Sequence, residues 1–150
     1  MNAGPEVVVV GVDDSDEARA ALRWAAEQSR LWSARLKVVH AFQPNHLAGV
    51  IGFAKLQPDN EWQAEAERWL GKTVNDEIGD VADLQIDLHA AQGGPAGAIL
   101  AAGDEATLIV VGSRGRGAAT STFLGSVSSA VLREARCPVV VVPRHKESGA

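Results

Sequence analysis

The sequence predicts an α/β fold, an open, doubly wound sheet of five parallel strands in the order 3-2-1-4-5 with four helices. Three observations carry this. Short apolar runs rich in β-branched residues alternate with segments that are apolar at helical spacing. The intervals between runs are long enough for crossover helices. One run, Leu84 to Ala90, alternates strictly between apolar and polar residues, whereas the others are apolar at nearly every position. Continuous runs suit strands covered on both faces and alternation suits a strand with one wet face, so the first and fourth runs go to the centre and the third to an edge.

The first strand is the run VVVVGV that follows Glu6. It ends at Asp13-Asp14-Ser15, where Asp14 or Ser15 can cap the next helix, and Asp16 and Glu17 put anions in its first turn. That helix runs from Ser15 to about Ser33, with Ala18, Ala21, Leu22, Ala25, Ala26 and Ser29 on one stripe and Arg19, Arg23, Glu27 and Arg30 outside it. Leu36 to Phe42 is the second strand. From Gln43 to Asn60 there is no period, and a connection of that length serves as a lid, a contact surface or a mobile segment.

A second helix, to about Gly79, carries Trp62, Ala66, Trp69, Leu70, Thr73, Val74 and Ile78 on one stripe. Tryptophans can stack on bases, but on such a stripe they read as core. After the alternating third strand, Gly93-Gly94-Pro95 opens a third helix whose stripe is Ala96, Ile99, Leu100 and Gly103. Thr107 to Val111 is the fourth strand, a helix starts near Ser126, and a last apolar strand begins at Pro138.

The 150 residues fit one domain, 1–150, large enough for a core without covalent staples. With 46% hydrophobic and 22% charged residues the composition is that of an ordinary globular protein. A net charge of -5 argues against a nucleic-acid partner, and the basic residues near the C-terminus (Arg133, Arg136, Arg144, Lys146) read as helix-end charges. The single cysteine, Cys137, excludes an internal disulfide and reads as buried and inert. No apolar run approaches the ~18 residues of a membrane span and the N-terminus lacks a basic signal region, so no membrane partner and a cytoplasmic location are expected.

In the order 3-2-1-4-5 the winding reverses between strands one and four, and ligands of open α/β sheets bind at the carboxyl ends beside such a switch point. Asp13 and the loop Gly112-Ser113-Arg114-Gly115-Arg116-Gly117 then face one crevice. Gly112 and Gly117 have the spacing of a Walker loop, but Ala118 and Ala119 stand where lysine and a hydroxyl residue should follow. A dinucleotide fingerprint fails as well, because its third glycine position is Thr120. What remains is Gly112-x-x-Gly115, nine residues, then Gly125-Ser126.

That spacing, after VVVVGVDDS and before CPVVVVP, resembles the universal stress protein family over nearly the whole chain, and within it the ATP-binding subgroup. The resemblance implies a Rossmann-like, adenine nucleotide alpha hydrolase-like fold, an adenine nucleotide (ATP, or ADP or AMP) as ligand, and a homodimer. It also implies that Asp13 lies in the nucleotide pocket and Ala41 beside the base, with Val12 and Val127 as further wall contacts.

The residues can be read physically beside it. Gly112 and Gly115 let backbone turn and approach a ligand closely. Gly125 exposes a helix start whose N–H groups and dipole suit phosphate, while Ser126 and Ser128 can donate hydroxyls or cap the helix. Arg114 and Arg116 can supply charge or stay solvated.

A carboxylate near a triphosphate opposes binding by about 4 kcal/mol for a unit pair at ~4 Å in an effective dielectric near 20. A helix end returns only ~0.3 to 1 kcal/mol. Mg²⁺ bridging Asp13 and the phosphates is therefore expected, the alternative being Asp13 bonded to base or ribose.

Three functions compete: a nucleotide-dependent sensor or regulator in stress response with little or no ATP hydrolysis, a slow ATPase or nucleotidyl-transfer enzyme, and an apo interaction module. The four histidines (His40, His46, His89, His145) show no metal-ligand spacing, and no water-positioning group beyond Asp13 and Asp14 is evident, so no catalytic residue is assigned and the sensor is favoured. The apolar strand Val139 to Val142 falls at a sheet edge, where pairing with a second subunit would cover it.

Overall fold

The computed structural model describes residues 6–43, 59–115 and 124–144. The elements are β1 (Val7–Gly11), α1 (Asp16–Trp32), β2 (Arg35–Phe42), α2 (Asp59–Ile78), β3 (Ile86–Gln92), α3 (Pro95–Ala102), β4 (Leu108–Gly112), α4 (Ser126–Glu134) and β5 (Val139–Val142). All strand pairs are parallel and the order is β3-β2-β1-β4-β5, as expected from the burial argument.

Period-two alternation splits the sheet into two cores. Val8 and Val10 of β1, Leu36 and Val38 of β2, and Leu108 and Val110 of β4 face one cluster, closed by Ala21, Leu22, Ala25 and Ala26 of α1 and by Leu70 and Val74 of α2. Val9, Val39, Ile109 and Val111 face the other, closed by Ile99 of α3 and Val131 of α4. Both faces of β1 are sealed, which is why its sequence shows no alternation.

Local chemistry sets the helix ends. Ser15 caps α1, its Oγ accepting from the Ala18 N–H at 3.1 Å. The helix stops at Ser33, which takes the left-handed conformation (φ 52°). Gly79 (φ 74°) does the same for α2. Arg19 and Arg23 of α1 reach Glu77 of α2, and Arg30 reaches Asp83 at 3.1 Å, so the outward charges of α1 tie it to the next helix and the turn beyond.

The third strand differs from expectation. It starts at Ile86, not Leu84, because the Leu84 N–H is used in a turn to the Val81 carbonyl (2.9 Å). Leu88, assigned to the apolar face, is 45% exposed; the residue opposite it on α2 is Gly71, which has no side chain to cover it. Helix α2 begins at Asp59, earlier than the tryptophan stripe suggested. The aperiodic stretch 44–58 lies outside the described residues, as do Arg116 and Gly117. Among the described residues no helix is long and apolar enough to cross a membrane.

Candidate functional site

Where β1 and β4 part at their carboxyl ends, a cleft of about 690 Å³ opens, within the usual range of small-molecule pockets. Val12, Asp13 and Asp14 enter it from the β1 exit, Ala41 from the end of β2, Pro95 from the start of α3, and Gly115 with Gly125, Ser126 and Val127 from the β4–α4 connection. A narrower hollow of about 50 Å³ shares Val12, Asp13, Ala41, Gly115 and Val127 with it and adds Gly112, Arg114 and Ser128. Every described residue proposed from the sequence is thus brought to one place except Ser113, which lines neither space.

The loop is fastened to α4 by main-chain bonds. The Ser113 carbonyl accepts from the Gly125 N–H at 2.7 Å and from Ser128 Oγ at 3.0 Å, and Ser128 Oγ also lies 3.1 Å from the Gly125 carbonyl. Ser128 is 2% exposed, and of its two expected roles these contacts favour the structural one, in which the hydroxyl positions the loop. The first α4 ladder bond runs from the Ser129 N–H to the Gly125 carbonyl (3.0 Å), leaving the N–H groups of Ser126, Val127 and Ser128 outside the ladder at the cleft. Ser126 is exposed.

The three glycines have three different reasons. None has a positive φ, so the tight-turn reading is replaced by one of close approach. A β-carbon on Gly112 would stand 2.8 Å from the Cβ and carbonyl carbon of Glu17, so lacking one lets the end of β4 pack closely on α1. One on Gly115 would meet Asp13 Oδ2 at 2.8 Å, and one on Gly125 would crowd Arg114 Cα at 3.3 Å.

Charge is arranged around the same loop. Asp13 Oδ1 accepts from the Ser15 N–H (2.9 Å) and the Ser15 hydroxyl, which holds the carboxylate at the α1 N-terminus. Arg114 reaches Glu17 at 3.8 Å, so part of its charge is spent on a buried acid of α1. Among the described residues no cluster of three or more ligating side chains could cage a metal. Asp13 and Asp14 at the cleft do fit Mg²⁺ in its commoner mode, held by one or two carboxylates with phosphates and water. There it would neutralise phosphate charge. Cys137 lies away from the cleft and is only partly buried, short of the expectation from sequence, yet that burial holds its thiol above the usual range, with a backbone hydrogen bond from Ile109 acting in the opposite direction.

Sequence reasoning missed the other wall. His40, Phe42, Trp62, Glu65, Ala66 and Trp69 line the cleft. The His40 and Trp69 rings lie 4.3 Å apart, and His40 Nδ1 donates to the Val12 carbonyl at 2.9 Å. Trp69 also packs on the core beneath α2, so the stripe was read correctly in part, while Trp62 is a cleft residue. The available signal was the recurrence of 62, 65, 66 and 69 on one helical face.

The family model of the Universal stress protein family matches residues 5–143. A Thermus aquaticus universal stress protein is 37% identical over 145 residues, covering 91% of this chain and 98% of its own. A Mycolicibacterium smegmatis universal stress protein is 34% identical over 138 residues, 90% of this chain but 47% of its own, so the chain spans about half the length of that relative. Among solved structures, UspA from Lactobacillus plantarum superposes with a TM-score of 0.70 at 23% identity, covering 94% of this chain and 99% of its own. The Archaeoglobus fulgidus universal stress protein in complex with dAMP superposes with 0.60 at 27% identity, covering 93% and 98%. With its parallel 3-2-1-4-5 sheet and the family match spanning almost its whole length, the chain belongs to the universal stress protein family.

Proposed function

We propose that residues 1–150 form one universal stress protein domain that binds an adenine nucleotide, ATP above all, in this cleft, and acts as a nucleotide-dependent sensor or regulator in the cytoplasm with little or no hydrolysis. The observation that carries the reading is the amino end of α4, whose N–H groups at 126–128 lie outside the helix ladder and open on a cleft at the switch point, beside Gly115. The dAMP held by the Archaeoglobus fulgidus relative supports the same ligand class. Phosphates would lie against Ser126 and Val127, with Ala41 beside the base and Mg²⁺ between Asp13 and the phosphates. Arg116 and Gly117, in the same connection, remain candidates for phosphate contact.

Native mass spectrometry of freshly purified protein tests this, with an adenine nucleotide mass expected on the folded chain. Replacing Gly115 and Gly125 together by valine should weaken ATP binding by tenfold or more. A folded double variant that binds ATP undiminished would falsify the site. ATP should also bind more tightly with Mg²⁺ than with a chelator, and equal affinity would remove the bridging role of Asp13.

A homodimer through β5 is part of the proposal. Each valine from 139 to 142 stays partly exposed, and β5 has one neighbour in the sheet, β4. Light scattering at micromolar concentration should give twice the chain mass.

A further inference from the structure

The nucleotide reading leaves one side of the cleft unused. From the β1 exit to α4, phosphate would be met by backbone donors, but the α2 side is built from Trp62, Glu65, Ala66 and Trp69 with His40 behind them. These four α2 residues follow i, i+3, i+4, i+7 spacing, so they share one face of the helix. Trp62 and Trp69 start about 10 Å apart along its axis, and between them stands only the methyl group of Ala66, which is 7% exposed. Glu65 sits at the exposed rim of the same face. The wall is also held in place, because Trp69 rests against His40 at 4.3 Å and His40 is bonded to the Val12 carbonyl at 2.9 Å.

Among the described residues on the α2 side of the cleft, the charged side chain is the carboxylate of Glu65. Asp13, Asp14 and, in the adjoining hollow, Arg114 belong to the opposite side. A phosphate or a carboxylate would be repelled from the α2 side, while a positive group would meet indole faces and a carboxylate together. We propose that the α2 side of the cleft is a second subsite, distinct from the nucleotide's, which binds an organic cation of the methylated-ammonium type between Trp62 and Trp69 with Glu65 as its counter-charge. A flat neutral ring could stack on the same indoles, but it would gain nothing from the carboxylate. The subsite does not depend on the nucleotide being bound.

Choline and its uncharged isostere 3,3-dimethylbutan-1-ol separate these cases, titrated into the full chain and followed by calorimetry and indole fluorescence. Choline is expected to bind about tenfold more tightly than the alcohol, the gain appropriate to a partly desolvated cation over indole. Saturating ATP should leave its dissociation constant unchanged within about twofold. Trp62→Leu should weaken choline about tenfold and Glu65→Gln severalfold, with the thermal shift produced by ATP retained in both. Glu65→Gln changes an exposed side chain to its isostere and so keeps the test alive if the tryptophan variant folds poorly. Equal binding of choline and the alcohol, no binding of either, or no effect of both substitutions would each overturn the subsite. Displacement of choline by ATP would overturn it too, by assigning the indoles to the base. Loss of ATP binding with choline binding intact would instead count against the nucleotide reading alone.

Discussion

The two sides of the cleft are built by opposite means. The α4 side is lined by main-chain N–H groups, brought into place by glycines that permit close approach and by the Ser128 hydroxyl that ties the loop to the helix. The α2 side is lined by side chains projecting from one regular helix whose backbone is indifferent to them. The first kind of site is coupled to folding, because altering it moves backbone. The second is decoupled, because an exposed helical side chain can change while the ladder stays intact.

Substitutions should expose that contrast. The largest effect is expected at Gly112, where a side chain would push on the backbone of α1 at Glu17 and Ala18. Gly112→Val should cost about 3 kcal/mol and lower the melting temperature by roughly 6 to 12 °C in a calorimetric scan. Ser128→Ala removes a buried hydroxyl whose partners are carbonyls of the loop and cap, and should cost about 1 to 2 kcal/mol in denaturant unfolding while weakening ATP binding severalfold. A smaller loss, about 1 kcal/mol, is expected for Ser15→Ala, which removes the α1 cap and a hydroxyl bond that helps to hold Asp13.

At the other extreme, Glu65→Gln on the α2 side should leave the unfolding free energy within about 0.5 kcal/mol of the parent. A change there as large as that of Ser128→Ala would erase the distinction between the two sides.

Cys137 supplies a control away from the cleft. Its thiol is raised by burial, so the reactive thiolate is scarce at neutral pH. Alkylation by iodoacetamide should be slower than for a free thiol at pH 7.5 and should accelerate steadily as the pH is raised through 9. Rapid labelling at neutral pH would count against a raised thiol, since Cys137 is already partly exposed.

Much of the fold was legible because burial leaves a pattern. The two-sided covering of β1 and β4 appears as unbroken apolar runs, and the edge position of β3 appears as alternation. The start of β3 was misjudged because alternation continues into Leu84, which belongs to a turn and not to the ladder. The cleft lining was legible where it involves glycine, since a missing side chain is recorded directly in the spacing Gly112, Gly115, Gly125. Their individual duties were not. Whether a glycine faces a ligand, a carboxylate or a neighbouring helix depends on what the fold lays against it.

By itself, then, the sequence determined the parallel sheet, its order and the crevice at the switch point, which follow from periodicity along the chain, and its motifs carried the resemblance to the family. Tertiary structure alone decided that Gly112 serves packing, that Ser128 holds the loop, that Arg114 answers Glu17, and that Trp62 and Trp69 face the cleft. Those are relations between residues far apart in the chain or on different faces of one helix. Local pattern marks a side chain as apolar but does not say whether a core or a cavity lies opposite it.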